Sequence, residues 1–435
     1  MSHIPLKISG FIDYTEKENR LFSLWKKRVE EVFSRYGFMG FQPRPVESIA
    51  ALQTKGGITH QIYTLGRLQD GSMTDLALPF DRTVPLAIYV ASHLHELTYP
   101  FKRFDISHCF RGERAQAGRF RGFIQADIDV VDEHISPLAE VECLATLLST
   151  LQSLQIPPFL VQVNHIEIPK TLILHMGFTE HQLPEALRIL DKMDKIGFAE
   201  VKKELADLSP SCDLTLLSLF TFQGDPEHFQ QQVPLVLRDL PAFTALQNTL
   251  SLLKEQIDCS DFFAFCPGMV RGLDYYTGLV CETVLRDHSS FGSIASGGRY
   301  NNLIGTLAGD SKMQLEGFGL SLGLTRLFDI LKRQELLPSL PSPPSQVLMA
   351  FRVFTDQRNA CTIASRLRAK GISTDLYLGK GNLGKQLTYA NKKEIPFAFI
   401  LMGESFVIKD LQTGKQTEDI PSLDQALDIL LSWLQ

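Results

Sequence analysis

The feature that most constrains this chain is a pair of strand-like segments, RFDISHCFRGER (103–114) and FRGFIQADIDVV (120–131), joined by the short turn AQAG at 115–118. So short a connection makes the pair an antiparallel hairpin. Side chains alternate faces along a strand. Arg111 and Glu113 therefore share one face of the first strand. Gln125, Asp127 and Asp129 share a face of the second, and Ile124, Ala126, Ile128 and Val130 fill the other. One side of the hairpin is core, and the other is a floor of amide and carboxylates. Carboxylates suit an ammonium or an imidazole, and Arg111 suits a carboxylate or a phosphate. The pattern points to a zwitterionic ligand beside a phosphate. A salt-bridged, open sheet face is the competing reading.

The stretch FRGERAQAGRFRGF (110–123) carries four arginines and no lysine in a chain of net charge −6. Arginine offers a planar fork that grips carboxylate or phosphate through two bonds, which lysine cannot do. A solvated hairpin is the bland alternative for such a run. The acidic balance excludes a generic polyanion binder, so any nucleic-acid contact rests on local basic surface. Two such regions stand out: this hairpin with Lys102 and Arg103 ahead of it, and 366–393, with seven Lys or Arg against Asp375.

At 435 residues the chain is long enough for two or three domains, and 44% hydrophobic with 21% charged residues is ordinary for a soluble globular protein. No apolar run approaches a membrane span, and the opening residues lack a signal-peptide layout, so no membrane partner and a cytoplasmic location are expected. Seven scattered cysteines without a C-x-x-C pair are expected to be free thiols, and no metal-ligating set is read.

Helical spacing is predicted over 16–36, VPLAIYVASHLHEL and 138–153, with strand-like GFQPRPVE, HQIYTL and DLALPF between the first two. From 166 to 262 the predicted segments are helical without intervening strands, which suggests an inserted helical domain. It would divide a first domain into 1–165 and 263–336. The segment 337–346, LPSLPSPPSQ, has four prolines and reads as a stiff linker. After it, strand and helix patterns alternate over 347–435, predicting a small α/β domain with parallel strands.

Within that last domain GKGNLGKQ (379–386) has phosphate-loop spacing, but Gln386 stands where a hydroxyl must hold magnesium. A glycine-rich turn presenting lysines to a partner fits better. GFGLSLG (317–323) lacks dinucleotide-loop spacing. VRGLDYYTG (270–278) sets Arg271, Asp274, Tyr275 and Tyr276 beside glycines, and SGGRY (296–300) repeats that chemistry. Read singly, either is equally a tight turn with structural tyrosines.

In order along the chain, FRGERAQAGRFRGFIQADIDV, RGLDYYTG, SGGRYNNL and GLSLGLTRL resemble the signatures of the histidyl-tRNA synthetases, a class II aminoacyl-tRNA synthetase family. LPFDRTVPLA (78–87) resembles the family's histidine-binding segment, GFID (10–13) its N-terminal Gly-x-x-Asp, and GNLGKQLTYANKKEIPFAFILMG its anticodon-binding domain. The resemblance implies an α+β fold with a mainly antiparallel sheet flanked by helices, a helical insertion and a C-terminal anticodon-binding α/β domain. It implies a ligase that activates L-histidine with ATP, assisted by Mg2+, and passes it to histidine tRNA, working as a homodimer.

By the same resemblance, Arg111 holds the α-phosphate and the histidine carboxylate, and Arg271 stabilises the pentavalent phosphate. Asp81 and Thr83 receive the α-ammonium. Gln125 and Asp129 are floor positions of that pocket, and Tyr275, Tyr276 and Tyr300 surround the imidazole. Glu113 faces the adenine end, Arg326 the outer phosphates, and Arg119 and Arg121 lie on a loop closing over ATP and the tRNA end. Arg114 is left unassigned. Three positions depart from the family's usual pattern: Thr325 replaces an acid, Pro79 an arginine, and Asp81 is the shorter of two acids. Two alternatives remain: a regulatory subunit of ATP phosphoribosyltransferase, which typically lacks the anticodon-binding domain, and a tRNA sensor, expected to lose catalytic side chains.

Overall fold

The computed structural model describes residues 7–53, 59–69, 71–259, 261–270, 276–301, 303–309, 313–339, 341–353 and 356–434. The chain divides into two compact units. One is Met1–Thr15 with Phe22–Pro338, and the other is Glu16–Leu21 with Ser339–Gln435.

The first helix, α1 (Glu16–Arg35), buries Phe22, Trp25, Val29 and Phe33 at helical spacing. Then come β1 (Met39–Gly40), β2 (Glu47–Ser48), α2 (Ile49–Gln53), β3 (Thr64–Gly66), β4 (Met73–Ala77) and α3 (Thr83–Ser92). The long hairpin β5 (Phe101–Phe110) and β6 (Gly122–Asp132) precedes α4 (Pro137–Ser153) and β7 (Phe159–His165). Six helices follow: α5 (Glu167–His175), α6 (Leu183–Leu190), α7 (Met193–Ile196), α8 (Phe198–Leu208), α9 (Pro226–Gln232) and α10 (Pro241–Gln256). β8 (Phe263–Phe265), β9 (Leu279–Leu285), β10 (Ala295–Asn301), α11 (Leu303–Ala308), β11 (Glu316–Leu322) and α12 (Leu324–Arg333) complete this unit.

Eight of these strands form one sheet in the order β1-β5-β6-β11-β10-β9-β7-β8. Only the outer pairs, β1 with β5 and β7 with β8, are parallel. The hairpin register runs from Phe101 opposite Val131 to Phe110 opposite Gly122. One face carries Ala126, Ile128 and Val130 into the core, and α4 and α12 cover this region. Phe328 on α12 meets Phe22 and Trp25 edge-on at centroid distances of 5.3 and 5.4 Å. Each such buried aromatic stabilises the fold by about 2–3 kcal/mol.

The GFQPRPVE prediction shrinks to the two-residue strands β1 and β2, because Pro43 and Pro45 between them have no N–H for a ladder. β5 ends at Phe110, so Arg111 and Glu113 stand just beyond the strand, where the chain turns. Within the segments predicted helical from 166 to 262, HQLPEALRILDKMDKIG forms two helices, α6 and α7, that part around Asp191 and Lys192.

The second unit contains β12 (Val347–Phe351), α13 (Gln357–Ala369), β13 (Thr374–Leu376), α14 (Leu383–Lys392), β14 (Phe397–Leu401), β15 (Phe406–Asp410) and α15 (Leu423–Leu434). The sheet order is β13-β12-β14-β15, parallel except for the antiparallel β14–β15 pair. Gln386, the residue that disqualified the phosphate-loop pattern, is buried in α14. It accepts from Phe351 N at 3.0 Å and donates to Phe351 O at 2.8 Å. Its amide completes the end of β12.

Candidate functional site

The polar face of the sheet becomes a layered site because strand register aligns its side chains. Arg103 lies opposite Asp129, Asp105 opposite Asp127, and Ser107 opposite Gln125. On the other side of β6, Gly319 faces Asp129 and Ser321 faces Asp127. Arg103 is fully buried and pairs with Asp129 Oδ2 at 2.5 Å. The Tyr300 hydroxyl donates to Asp129 Oδ1 at 2.9 Å. A second buried pair joins Arg82 Nε to Asp105 Oδ2 at 2.6 Å, and the Ser107 hydroxyl also donates to Asp105. Removing one partner of such a pair costs about 3–5 kcal/mol, so these pairs hold the floor in one geometry.

Two glycines make room for this network. A Cβ on Gly319 would sit 2.0 Å from Asp129 Oδ1, and one on Gly317 would sit 2.2 Å from the Tyr300 ring. Burial pushes the Asp129 carboxyl up to about 6 and that of Asp127 up to about 7, with Arg103 acting against the shift in both. Burial also raises the Tyr300 phenol well above its ordinary range.

Over this floor lies a cavity of about 290 Å³, walled by Asp81, Thr83, Arg111, Gln125, Asp127, Asp129, Tyr276 and Tyr300, with Gln61, Phe80, Ser296 and Ser321 among the other lining residues. Asp81 Oδ1 accepts from Val84 N at 3.1 Å, which fixes its carboxylate at the start of α3. Gln125 donates to Ser321 Oγ at 2.5 Å. Its Oε1 is buried without a partner among the described residues. Unsatisfied acceptors of this kind await a donor.

A second cavity, also about 290 Å³, adjoins the first. Arg111, Gln125, Ser296 and Ser321 line both. Its other walls include Glu113, Arg119, Phe123, Glu282 and Arg326. Arg111 donates from Nε to Phe80 O at 3.1 Å and lies 5.0 Å from the centre of the Phe123 ring. None of the described residues pairs with its two terminal nitrogens, so the fork is presented to the cavities. Arg326 donates to Phe291 O, and Arg119 lies 3.6 Å from Glu113.

The hairpin between the cavities and solvent is tied at three points. Arg121 N and Gly122 N both donate to Gly10 O, at 2.8 and 3.2 Å. Ile124 N donates to Thr325 Oγ1 at 2.8 Å, and Gly118 N to Asp329 Oδ2 at 3.2 Å. Thr325 thus serves as a backbone acceptor. The Arg121 side chain packs on Gly10 and donates to Glu113 O. Arg121 therefore braces the loop, whereas Arg119 lines the cavity, and Arg114 is exposed.

The structure brings Asp81, Thr83, Arg111, Gln125, Asp129, Tyr276 and Tyr300 to one cavity and Arg111, Glu113, Arg119, Gln125 and Arg326 to the other. Arg271 and Tyr275 lie outside the described residues. Sequence reasoning passed over Arg82, Glu282 and Ser321, and read Arg103 as basic surface, whereas it is fully buried against Asp129. Arg103, Asp105 and Ser107 alternate with apolar residues along β5, a period-two signal that would have placed Arg103 on the floor. Nothing local to Glu282 or Ser321 betrays the cavities. No group of three or more metal-ligating side chains occurs among the described residues.

The histidyl-tRNA synthetase family profile matches residues 10–327, and an anticodon-binding-domain profile matches 349–432. A histidine–tRNA ligase of Thermobifida fusca is 35% identical, over 96% of this chain and 97% of its own. One from Bifidobacterium longum is 36% identical, over 90% and 88%. A crystal structure of histidyl-tRNA synthetase from Nostoc sp. PCC 7120 superposes with a TM-score of 0.84 at 31% identity, covering 99% of this chain and all of that one. With a family match over most of its length and relatives above 30% identity along nearly all of it, this chain belongs to the histidyl-tRNA synthetase family.

Proposed function

We propose that the two adjoining cavities are the histidine and ATP halves of one active centre, joined at Arg111. The family's reaction, charging histidine tRNA with L-histidine at the expense of ATP, is the function of this chain. The observation that carries the proposed site is the shared wall: one arginine, its two terminal nitrogens without a partner among the described residues, stands where an amino-acid carboxylate and an α-phosphate would meet.

Asp81 and Thr83 receive the α-ammonium, and Gln125 and Asp129 are floor positions of that pocket. Tyr275, Tyr276 and Tyr300 flank the imidazole. Arg111 holds carboxylate and phosphate in line, Arg271 answers the charge that develops on phosphorus, Arg326 and Arg119 meet the outer phosphates, and Glu113 faces the adenine end. The carboxylate attacks the α-phosphate, forming the adenylate and releasing pyrophosphate. The terminal ribose hydroxyl of the tRNA then attacks the adenylate carbonyl. Such phosphoryl transfer depends on positioning and on positive charge at the reacting centre more than on acid–base groups.

Magnesium fits the second cavity. Glu282 offers it a hard carboxylate oxygen, and the ion would keep phosphate oxygens and water as its other ligands. Bound there with ATP, it would neutralise charge on the departing pyrophosphate.

Residues 166–262 are proposed as a helical insertion in a catalytic domain formed by 1–165 and 263–336. Residues 337–346 are the linker and 347–435 the anticodon-binding domain, whose Lys385 and Lys392 meet tRNA. Charge reversal at both lysines should raise the KM for tRNA and spare adenylation. A homodimer working in the cytoplasm completes the reading. No helix among the described residues is long and apolar enough to cross a membrane. The match at 349–432 and the retained Arg111, Glu113 and Arg326 favour the ligase over a regulatory subunit. Histidine-dependent exchange of pyrophosphate into ATP tests the proposal, and a folded protein that supports no exchange would overturn it.

A further inference from the structure

The floor holds two neighbouring acids whose positions differ in one respect. Both oxygens of Asp129 already have protein partners, Tyr300 OH on Oδ1 and Arg103 on Oδ2. Asp127 has one, the Ser321 hydroxyl, which donates to its Oδ1 at 2.6 Å. Ser321 in turn accepts from Gln125, so a chain Gln125–Ser321–Asp127 orients the carboxylate. Among the described residues nothing pairs with the other oxygen of Asp127, and the residue lines the first cavity. Of the nearby cations, Arg103 pairs with Asp129 and Arg82 with Asp105, and Arg103 acts on Asp127 through its charge without a hydrogen bond to it.

Position along β6 says which part of a ligand would meet that oxygen. Gln125, Asp127 and Asp129 step along one face about 7 Å apart. The Gln125 end adjoins Arg111, and the Asp129 end adjoins Tyr300 and Gly319. With the carboxylate of histidine at Arg111 and its ring beside Tyr300, the α-carbon and its ammonium lie above the residue between.

We propose that Asp127 is a specificity-determining residue of the amino-acid pocket, its free carboxylate oxygen serving, together with Asp81, as counter-ion to the α-ammonium. Asp129, saturated by Arg103 and Tyr300, acts as a positioning residue that holds the ring wall. This rests on the first cavity being the histidine site. Burial lifts the Asp127 carboxyl to about 7, and an ammonium above it would favour the ionised form. The unliganded carboxylate sits in a poor environment that its ligand corrects.

The test compares ligands with and without the ammonium. Pyrophosphate exchange is measured for wild type and Asp127→Asn with histidine as substrate. Histidinol, which keeps the ammonium, and imidazolepropionate, which lacks it, serve as competitive inhibitors. Losing a charge-assisted hydrogen bond should raise the histidine KM and the histidinol Ki about tenfold or more, and leave the imidazolepropionate Ki and the ATP KM unchanged. An equal rise for all three ring-bearing ligands would overturn the proposal, because Asp127 would then act on the ring or on the pocket as a whole. No change for histidinol would overturn it too. So would an Asp127→Asn protein that fails to fold, since that makes the carboxylate structural. Failure of the function itself shows separately, as wild type without exchange.

Discussion

The hydroxyl of Thr325, at the start of helix α12, accepts the backbone N–H of Ile124 in strand β6 at 2.8 Å. The same helix turn carries Arg326 into the second cavity, and the residue after Ile124 is Gln125, which lines both cavities. One bond therefore sets the wall of the second cavity against the floor. The departure from an acid at this position leaves the acceptor in place.

Thr325→Val keeps the shape and removes the acceptor, leaving a partly buried N–H unpaired. It should lower stability by about 1–3 kcal/mol, and Thr325→Ser should restore most of it. Urea unfolding of the three proteins checks this. Equal midpoints for Val and Thr would show the bond to be unimportant.

Gly319→Ala places a methyl group where Asp129 Oδ1 now lies, 2.0 Å from the new carbon. Asp129 must move away from Arg103 or Tyr300. Exchange assays should show a histidine KM raised about tenfold or more with a smaller change in the ATP KM, and thermal unfolding should show a loss of several degrees.

Asp127 links stability to pH. Its folded carboxyl titrates at about 7, above the value for an unfolded aspartate. The folded state therefore binds the proton more tightly, and this contribution is full below the unfolded pKa and lost as pH rises through about 7. Asp127→Asn, neutral at every pH, should match wild type near pH 4 and be the more stable above pH 7. The gain is at most about 4 kcal/mol, since the titration is coupled to Asp129. Thermal midpoints across pH 4–8 measure it. A variant less stable than wild type at pH 8 would contradict the assignment.

Arg111 lines both cavities, and none of the described residues pairs with its two terminal nitrogens. Arg111→Ala should lower kcat for exchange by about 10²–10³, and Arg111→Lys should recover little, because a point charge cannot bridge two anions as the fork does. Single-turnover adenylate formation gives the comparison, and activity near wild type for the lysine variant would refute the bridging role.

Gln386→Leu removes the side chain that pairs with both the N–H and the carbonyl of Phe351. The α/β unit should lose about 2–4 kcal/mol of stability while the ATP KM for exchange stays at the wild-type value. A raised ATP KM would revive the phosphate-loop reading.

Much of this was legible in the chain. The β5–β6 hairpin follows from two alternating strands around a short turn, and the apolar and polar faces of β6 fall as their periodicity requires. Asp81, Thr83, Arg111 and Arg326 were identifiable through motifs, because close backbone approach and anion binding restrict residue types over a few consecutive positions. The strands β1 and β2 were over-extended, since sequence shows a β pattern but not where a partner strand ends. Gln386 was recognisable as wrong for a phosphate loop, but its partner Phe351 was not.

Which residues can bury a face, turn tightly or grip an anion is a property of neighbours along the chain, readable before folding. That Arg103 neutralises Asp129, that the Ser321 hydroxyl bonds to Asp127, and that Arg121 braces a loop while Arg119 lines a cavity emerges only in the folded chain. Those outcomes depend on register between strands as far apart as β6 and β11. Shifting that register by one residue would turn every side chain to the other face, and no local preference records which register wins.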